Sequence, residues 1–266
     1  MHTARTAALA AVVTLTLAAG LTACSDPAPA EPTARDLLRR AAETMDRARS
    51  ATERIDIEQA DGVERRVVKA SWAEPEVRAD LGTGVHVVDG AAYQDASWAG
   101  LKWLRIDGPE GRPSNAWAAR AAWFNTPGGF LRLRRQLDPV TGLAAAAASD
   151  TAENLGGSDA GKVHCTRLRV RMPAVDYYAT GLSADERAEV ARSLAADGTS
   201  TVTADFWVGD GGELIRRTET EDTSTGPRTT TTGHSDLGAR VDVQAPTAAD
   251  LSTNEELLRY LGVPPR

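Results

Sequence analysis

Sulfur, aromatic rings and long apolar runs are all scarce in this chain. Of its 266 residues only two are cysteine, three methionine and three phenylalanine. With Cys24 and Cys165 alone, a disulfide-stapled scaffold is excluded. After the first two dozen residues no apolar run approaches the ~18 residues of a membrane-spanning helix. The common catalytic signatures are missing too: there is no H-E-x-x-H, no G-x-S-x-G, no phosphate-binding glycine loop, and no serine three residues before Lys69, Lys102 or Lys162. His86, His164 and His234 lie far apart without metal-ligand spacing. The expectation is a protein that is not an enzyme, with no cofactor and no metal site; the enzyme alternative, a cell-wall hydrolase, would need a pair of carboxylates or a nucleophile and base brought together from distant residues. Basic residues are also in deficit, 30 against 37 acidic, for a net charge of -7. Such a balance argues against nucleic acid as a partner and against bulk attraction to anionic headgroups.

What is present begins at the N-terminus. His2 and Arg5 precede an apolar stretch from Ala7 to Gly20, about 14 residues long, too short to span a bilayer but right for an export signal. It ends in Leu21-Thr22-Ala23-Cys24, which resembles the bacterial lipobox, where the cysteine thiol receives a diacylglyceryl group and becomes the mature N-terminus. Two acyl chains on one residue anchor stably where one binds only marginally. The competing reading is a plain secretory signal with an incidental cysteine. Residues 1–23 are thus assigned to a lipoprotein signal peptide and residues 24–33 to the lipidated Cys24 with a flexible proline-rich tether, Ser25 to Pro32. Removing residues 1–23 takes away Arg5 and no acid, leaving 243 residues with a charge of -8. The address that follows is the extracytoplasmic face of the cell membrane, held by diacylglyceryl-Cys24.

Thr33 and Asp36 form a T-x-x-D cap, and Leu37, Leu38, Ala41, Met45 and Ala48 follow at helical spacing, predicting a helix over 34–50. Period-two alternation then predicts strands: Leu168-Val170-Met172 against Arg167-Arg169-Arg171, Val202-Ala204-Phe206-Val208 against Thr201-Thr203-Asp205-Trp207, and Val241-Val243-Ala245 against Arg240-Asp242-Gln244. One apolar and one wet face is the pattern of an antiparallel sheet covering something. Gly209-Asp210-Gly211-Gly212 reads as a hairpin turn, since the spacing of a calcium loop is missing. Thr229 to Thr232 reads as a strand. An S-x-x-E box at Ser183 opens a helix closing on Gly198, Pro139 to Ser149 is alanine-rich and helical, and Thr253-Asn254-Glu255-Glu256 opens a short C-terminal helix. The order is helix, strands, helices, strands, helix, which is α+β in one domain over 34–266, without βαβ alternation.

Seven of the thirteen aromatic residues, Tyr93, Trp98, Trp103, Trp117, Trp123, Phe124 and Phe130, fall within 38 positions. Trp117, Ala121 and Phe124 share a face if 115–125 is helical. These rings either line the mouth of an apolar pocket or fill a core short of bulk, since the chain has only four isoleucines. Cys165, on a predicted strand, reads as a small buried apolar residue; a catalytic thiol would need a neighbouring base and an electropositive pocket.

The order of these features resembles the actinobacterial LppX/LprA/LprF/LprG lipoproteins, related in fold to the LolA and LolB carriers. The matching features are the lipobox at Cys24, the helix entering a strand at Ile55-Asp56-Ile57, and Tyr93 followed by Trp103-Leu104-Arg105-Ile106-Asp107. Asp138-Pro139 with Gly142-Leu143 comes next, then Asp205-Phe206-Trp207-Val208 with Asp210-Gly211-Gly212-Glu213-Leu214-Ile215-Arg216-Arg217, and finally Ser235-Asp236-Leu237-Gly238 with Val241-Asp242-Val243-Gln244-Ala245-Pro246. The resemblance implies a single curved antiparallel sheet, a LolA-like half-barrel, wrapped over helices with an apolar cavity between them. It implies a non-catalytic carrier of lipid or a lipidated ligand such as a glycolipid, with a membrane transporter as a candidate partner. The expected cavity lining is Trp72, Trp103, Trp117, Phe124, Val170 and Phe206. The alternative is an extracytoplasmic interaction or sensor module with a filled core and no lipid cargo.

Overall fold

The computed structural model describes residues 31–73, 77–82, 84–88, 90–105 and 127–260. Its elements all lie in the second of two compact units, Pro32–Arg266. Cys24, Trp117, Trp123 and Phe124, and with them the helix expected over 115–125, fall outside the described residues.

Helix α1 (Ala34–Ala48) begins where the sequence places it. The Thr33 hydroxyl accepts from the Asp36 backbone N–H and the Asp36 carboxylate reaches back to the Thr33 N–H, a complete capping box. Leu38, Ala41 and Met45 form its fully buried stripe. The helix ends two residues earlier than expected because Arg49 turns into the left-handed region, at φ 63°.

From there the chain runs as a meander: β1 (Ser50–Gln59), β2 (Gly62–Ser71), β3 (Arg78–Asp80), β4 (Val85–Val88), β5 (Ala91–Asp95) and β6 (Trp103–Arg105), each paired antiparallel with its predecessor. After β6 come α2 (Pro127–Gln136) and α3 (Pro139–Ala148), and strand pairing resumes at the opposite edge with β7 (Glu153–Ala160). A second meander returns through β8 (Val163–Pro173), β9 (Thr201–Val208), β10 (Leu214–Thr223) and β11 (Gly226–Ser235), with α4 (Ala174–Tyr178) and α5 (Ala184–Asp197) inserted between β8 and β9. The last strand pairs with the first, Ile55 opposite Thr232. The result is one open, wholly antiparallel sheet of eleven strands in the order β6-β5-β4-β3-β2-β1-β11-β10-β9-β8-β7, with helices, an α+β fold. Helix α6 (Asn254–Tyr260) follows near the C-terminus.

The helices cover one face. Leu38, Ala41 and Met45 of α1 and Leu143, Ala145 and Ala146 of α3 share a core with Val68 and Ala70 of β2, Leu168 and Val170 of β8, and Val202, Ala204 and Phe206 of β9. The predicted alternation of β8 and β9 therefore holds, with Arg167, Arg169 and Asp205 on the outer face, where the two guanidinium groups hold the carboxylate at 2.7–2.8 Å. Two expectations change. Residues 240–245 form no strand: the alternation is there, but no neighbouring strand pairs with it, and only Val243 is buried. The inner face is also not apolar throughout, because its middle strands turn charged side chains inward.

Candidate functional site

A cleft of about 470 Å³ opens beside the covered face. Three segments build it. The first contributes Trp72 and Val77, from the stretch after β2, with Asp46 of α1 at the exposed mouth. Trp72 is held rigidly: its indole N–H donates to the Met45 carbonyl at 2.9 Å and its backbone N–H to the Arg49 carbonyl at 3.0 Å. The second contributes Leu131, Arg134 and Arg135 from the last turns of α2, with Asp138, Val140 and Thr141 at the start of α3. The third is the α4–α5 connection, Gly181 and Leu182, with Glu186 from the first turn of α5.

The charges in this cleft are unequally used. Asp138 caps α3, its Oδ1 accepting from the backbone N–H of Val140 and Thr141 and its Oδ2 from the Thr141 hydroxyl at 2.6 Å. Glu186 caps α5, accepting from the Ser183 N–H and hydroxyl, and those bonds hold its carboxyl below the usual range. Arg135 donates to the Thr141 hydroxyl at 2.8 Å. Arg134, half-buried, makes no hydrogen bond or ion pair among the described residues. The cleft thus mixes apolar side chains with charged and polar ones, and among the described residues its two guanidinium groups keep donors to spare.

Next to it, between sheet and helices, lies a buried polar layer. Paired residues run across the strands as Ile55, Thr232, Arg217, Phe206 and Leu168, and as Ile57, Thr230, Glu219, Ala204 and Val170, apolar at the ends and polar in the middle. Glu53 and His234 face each other across β1 and β11 with Oε1 and Nε2 3.6 Å apart, too far for a hydrogen bond, and both side chains are sealed from solvent. Burial pushes the Glu53 carboxyl up to about 8, and burial with the nearby Arg217 charge pushes His234 down to about 3, so at neutral pH this contact joins two largely uncharged groups rather than an ion pair. Burial also opposes the Arg217 charge, but Glu219, then Tyr177 and Glu53, outweigh it and raise its pKa. Arg217 donates to the Gln136 carbonyl at 2.7 Å and lies 3.5 Å from Glu219. At the layer's edge Arg132 bridges Asp197 at 2.6 Å and Glu221 at 3.4 Å and lies over the Tyr178 ring. Around Ile55, Val68, Leu133 and Thr230 the free space between sheet and helices is about 10 Å³, the room of one water molecule.

The residues expected to line one cavity are placed in different surroundings. Trp72 lines the cleft. Val170 and Phe206 are fully buried in the core. Trp103 is half-buried on edge strand β6, its ring 4.5 Å from that of His86. Of the other clustered rings, Phe130 is in the core, whereas Trp98 is half exposed and packs edge-on against Tyr260. Cys165 is buried beside Ala160 and Trp207, and burial pushes its thiol up, as expected of an inert side chain. Arg134, Arg135 and the ionisable residues of β1, β10 and β11 were not singled out by the sequence. The run Leu131-Arg132-Leu133-Arg134-Arg135, three guanidinium groups among leucines, was a usable signal for the first two.

The structural neighbours include LprF and LppX. LprF from Mycobacterium bovis has 12% identity and a TM-score of 0.49, covering 81% of this chain and 97% of that one. The lipoprotein LppX of Mycobacterium tuberculosis has 11% identity and a TM-score of 0.47, covering 80% of this chain and 100% of that one. Both belong to the group that the residue order resembles. A curated relative, an uncharacterized 31.2 kDa protein encoded between rplA and rplJ in Streptomyces griseus, is 30% identical over 129 residues, 48% of this chain. The match spans 42% of that relative's length. No family model matches the chain.

Proposed function

We propose that this protein is a lipoprotein anchored through Cys24 to the extracytoplasmic face of the cell membrane, where it holds a lipid or lipidated ligand without changing it chemically. The observation that carries the reading is the 470 Å³ cleft, within the ~300–1,000 Å³ range of ligand sites, with Trp72, Val77, Leu131, Val140 and Leu182 offering apolar contact beside charged and polar side chains. An anchored domain exchanging an amphiphile with the nearby bilayer needs burial and release, not a nucleophile or base. A membrane transporter is the natural partner for passing such a ligand on.

A second reading, an interaction or sensor module, is favoured by the buried polar layer, which occupies the space between sheet and helices where an acyl chain would otherwise lie. A dansyl-labelled fatty acid separates the two. The carrier reading predicts saturable energy transfer from tryptophan, reduced several-fold by Trp72→Phe, a ring that lines the cleft. No uptake, with the wild-type chain folded, favours the module.

A further inference from the structure

Resting on the ligand-binding reading of the cleft, we propose that it selects amphiphiles by an anionic headgroup, phosphate or carboxylate, held between the guanidinium groups of Arg134 and Arg135. The two side chains leave the last turn of α2 and line the same cleft. Among the described residues Arg134 spends no donor, and Arg135 spends one, on the Thr141 hydroxyl. Asp138 and Glu186 lie in the same cleft, but their oxygens serve as helix caps, Asp138 accepting three hydrogen bonds from Val140 and Thr141 and Glu186 two from Ser183, and neither makes an ion pair with the arginines among the described residues. The remaining carboxylate, Asp46, is exposed at the mouth, where water screens it. Burial works against the charge on Arg135, Asp138 supports it, and the neighbouring Arg134 charge opposes it and Glu186 supports it to a smaller extent. An anion between the guanidinium groups relieves that repulsion and takes up the unused donors in the bidentate geometry that arginine offers to phosphate and carboxylate. Trp72 and Leu131 line the same cleft and offer an alkyl chain apolar contact.

The test uses the mature chain carrying Cys24→Ser, which is not acylated, titrated calorimetrically with dodecyl phosphate, dodecanoate, dodecyl maltoside and inorganic phosphate below micellar concentrations. The expected result is that the two anionic amphiphiles bind at least ~10-fold more tightly than the maltoside, and inorganic phosphate more weakly than dodecyl phosphate. Arg134→Gln with Arg135→Gln is expected to bring dodecyl phosphate to the maltoside's affinity and leave the maltoside's unchanged. If the double variant does not fold, Arg134→Gln alone, at a side chain without a hydrogen bond or ion pair among the described residues, is expected to remove part of the discrimination. Equal affinity for all three amphiphiles overturns the headgroup proposal and leaves the ligand-binding reading standing. Inorganic phosphate binding as tightly as dodecyl phosphate also overturns it, assigning the arginines to a free anion. Binding of none of the amphiphiles overturns both.

Discussion

Glu53 and His234, directly opposite on β1 and β11, pull the stability of the fold in opposite directions as pH changes. Burial raises the Glu53 carboxyl from 4.5 to about 8, so its contribution is fully present below pH 4.5 and is lost as pH rises through about 8. Burial lowers His234 from 6.5 to about 3, so its contribution is present above pH 6.5 and is lost as pH falls through about 3. The two slopes oppose each other between 4.5 and 6.5, and the pair's joint contribution falls on either side of that window. Glu53→Gln is expected to flatten the decline between pH 6.5 and 8 in denaturant melts and leave the acid limb in place. A wild-type decline that survives the substitution rules out Glu53 as its source. The charged row on β10 was hidden by one residue. The β9–β10 hairpin carries a register shift between Leu214 and Arg216; without it Arg216 would stand opposite Phe206 and face inward, and with it Arg217, Glu219 and Glu221 do. Period-two reading cannot see a bulge, so the residues that fill the middle of the interior were illegible.

Elements were legible where their ends carry chemistry. Thr33 with Asp36, Ser183 with Glu186, Asp138 before Pro139, and Gly198 at φ 73° fixed helix boundaries to within a residue or two, because each satisfies backbone groups that the helix itself leaves open. Residues 240–245 show the limit: alternation reports which side chains prefer an apolar surface, whereas a strand also needs a neighbour to accept its hydrogen bonds. Packing between elements was not legible either. Gly128 of α2 lies so close to α5 that a Cβ there would clash with the Glu189 carbonyl oxygen, a backbone atom. Gly128→Ala must therefore push α2 away from α5, and with them the walls of the cleft that carry Arg134 and Leu182. A loss of about 1–3 kcal/mol in urea melts is expected. A neutral substitution would mean that the two helices slide apart freely.

At the scale of the molecule, two meanders running from opposite edges meet at one seam, β1 against β11, which joins residues 52–58 to 229–235. The sheet's class and its helix-strand order followed from caps and alternation; the join did not, since nothing local to either strand names its partner. The edges are handled differently. At β6, the Lys102 N–H donates to Ser252 Oγ at 3.0 Å and the Ser252 N–H to the Trp103 carbonyl at 2.8 Å, so the C-terminal segment covers that strand. At β7 the ladder is broken by a register shift at Asn154–Gly157, with Gly156 at φ 84°. An open sheet of this size, with a packed polar centre and a lateral cleft, places the proposed ligand at the side of the helical layer rather than under the sheet. The six residues proposed from sequence reflect the other geometry, of which Trp72 alone among the described residues lies at the cleft. The most direct test is native mass spectrometry of the full-length protein extracted in mild detergent from the membranes of its own host. The account predicts a chain beginning at Cys24 with a diacylglyceryl mass on it, carrying a further non-covalent mass that leaves on collisional activation. A chain from Cys24 with no releasable mass, or one that begins elsewhere and bears no acyl group, would contradict it.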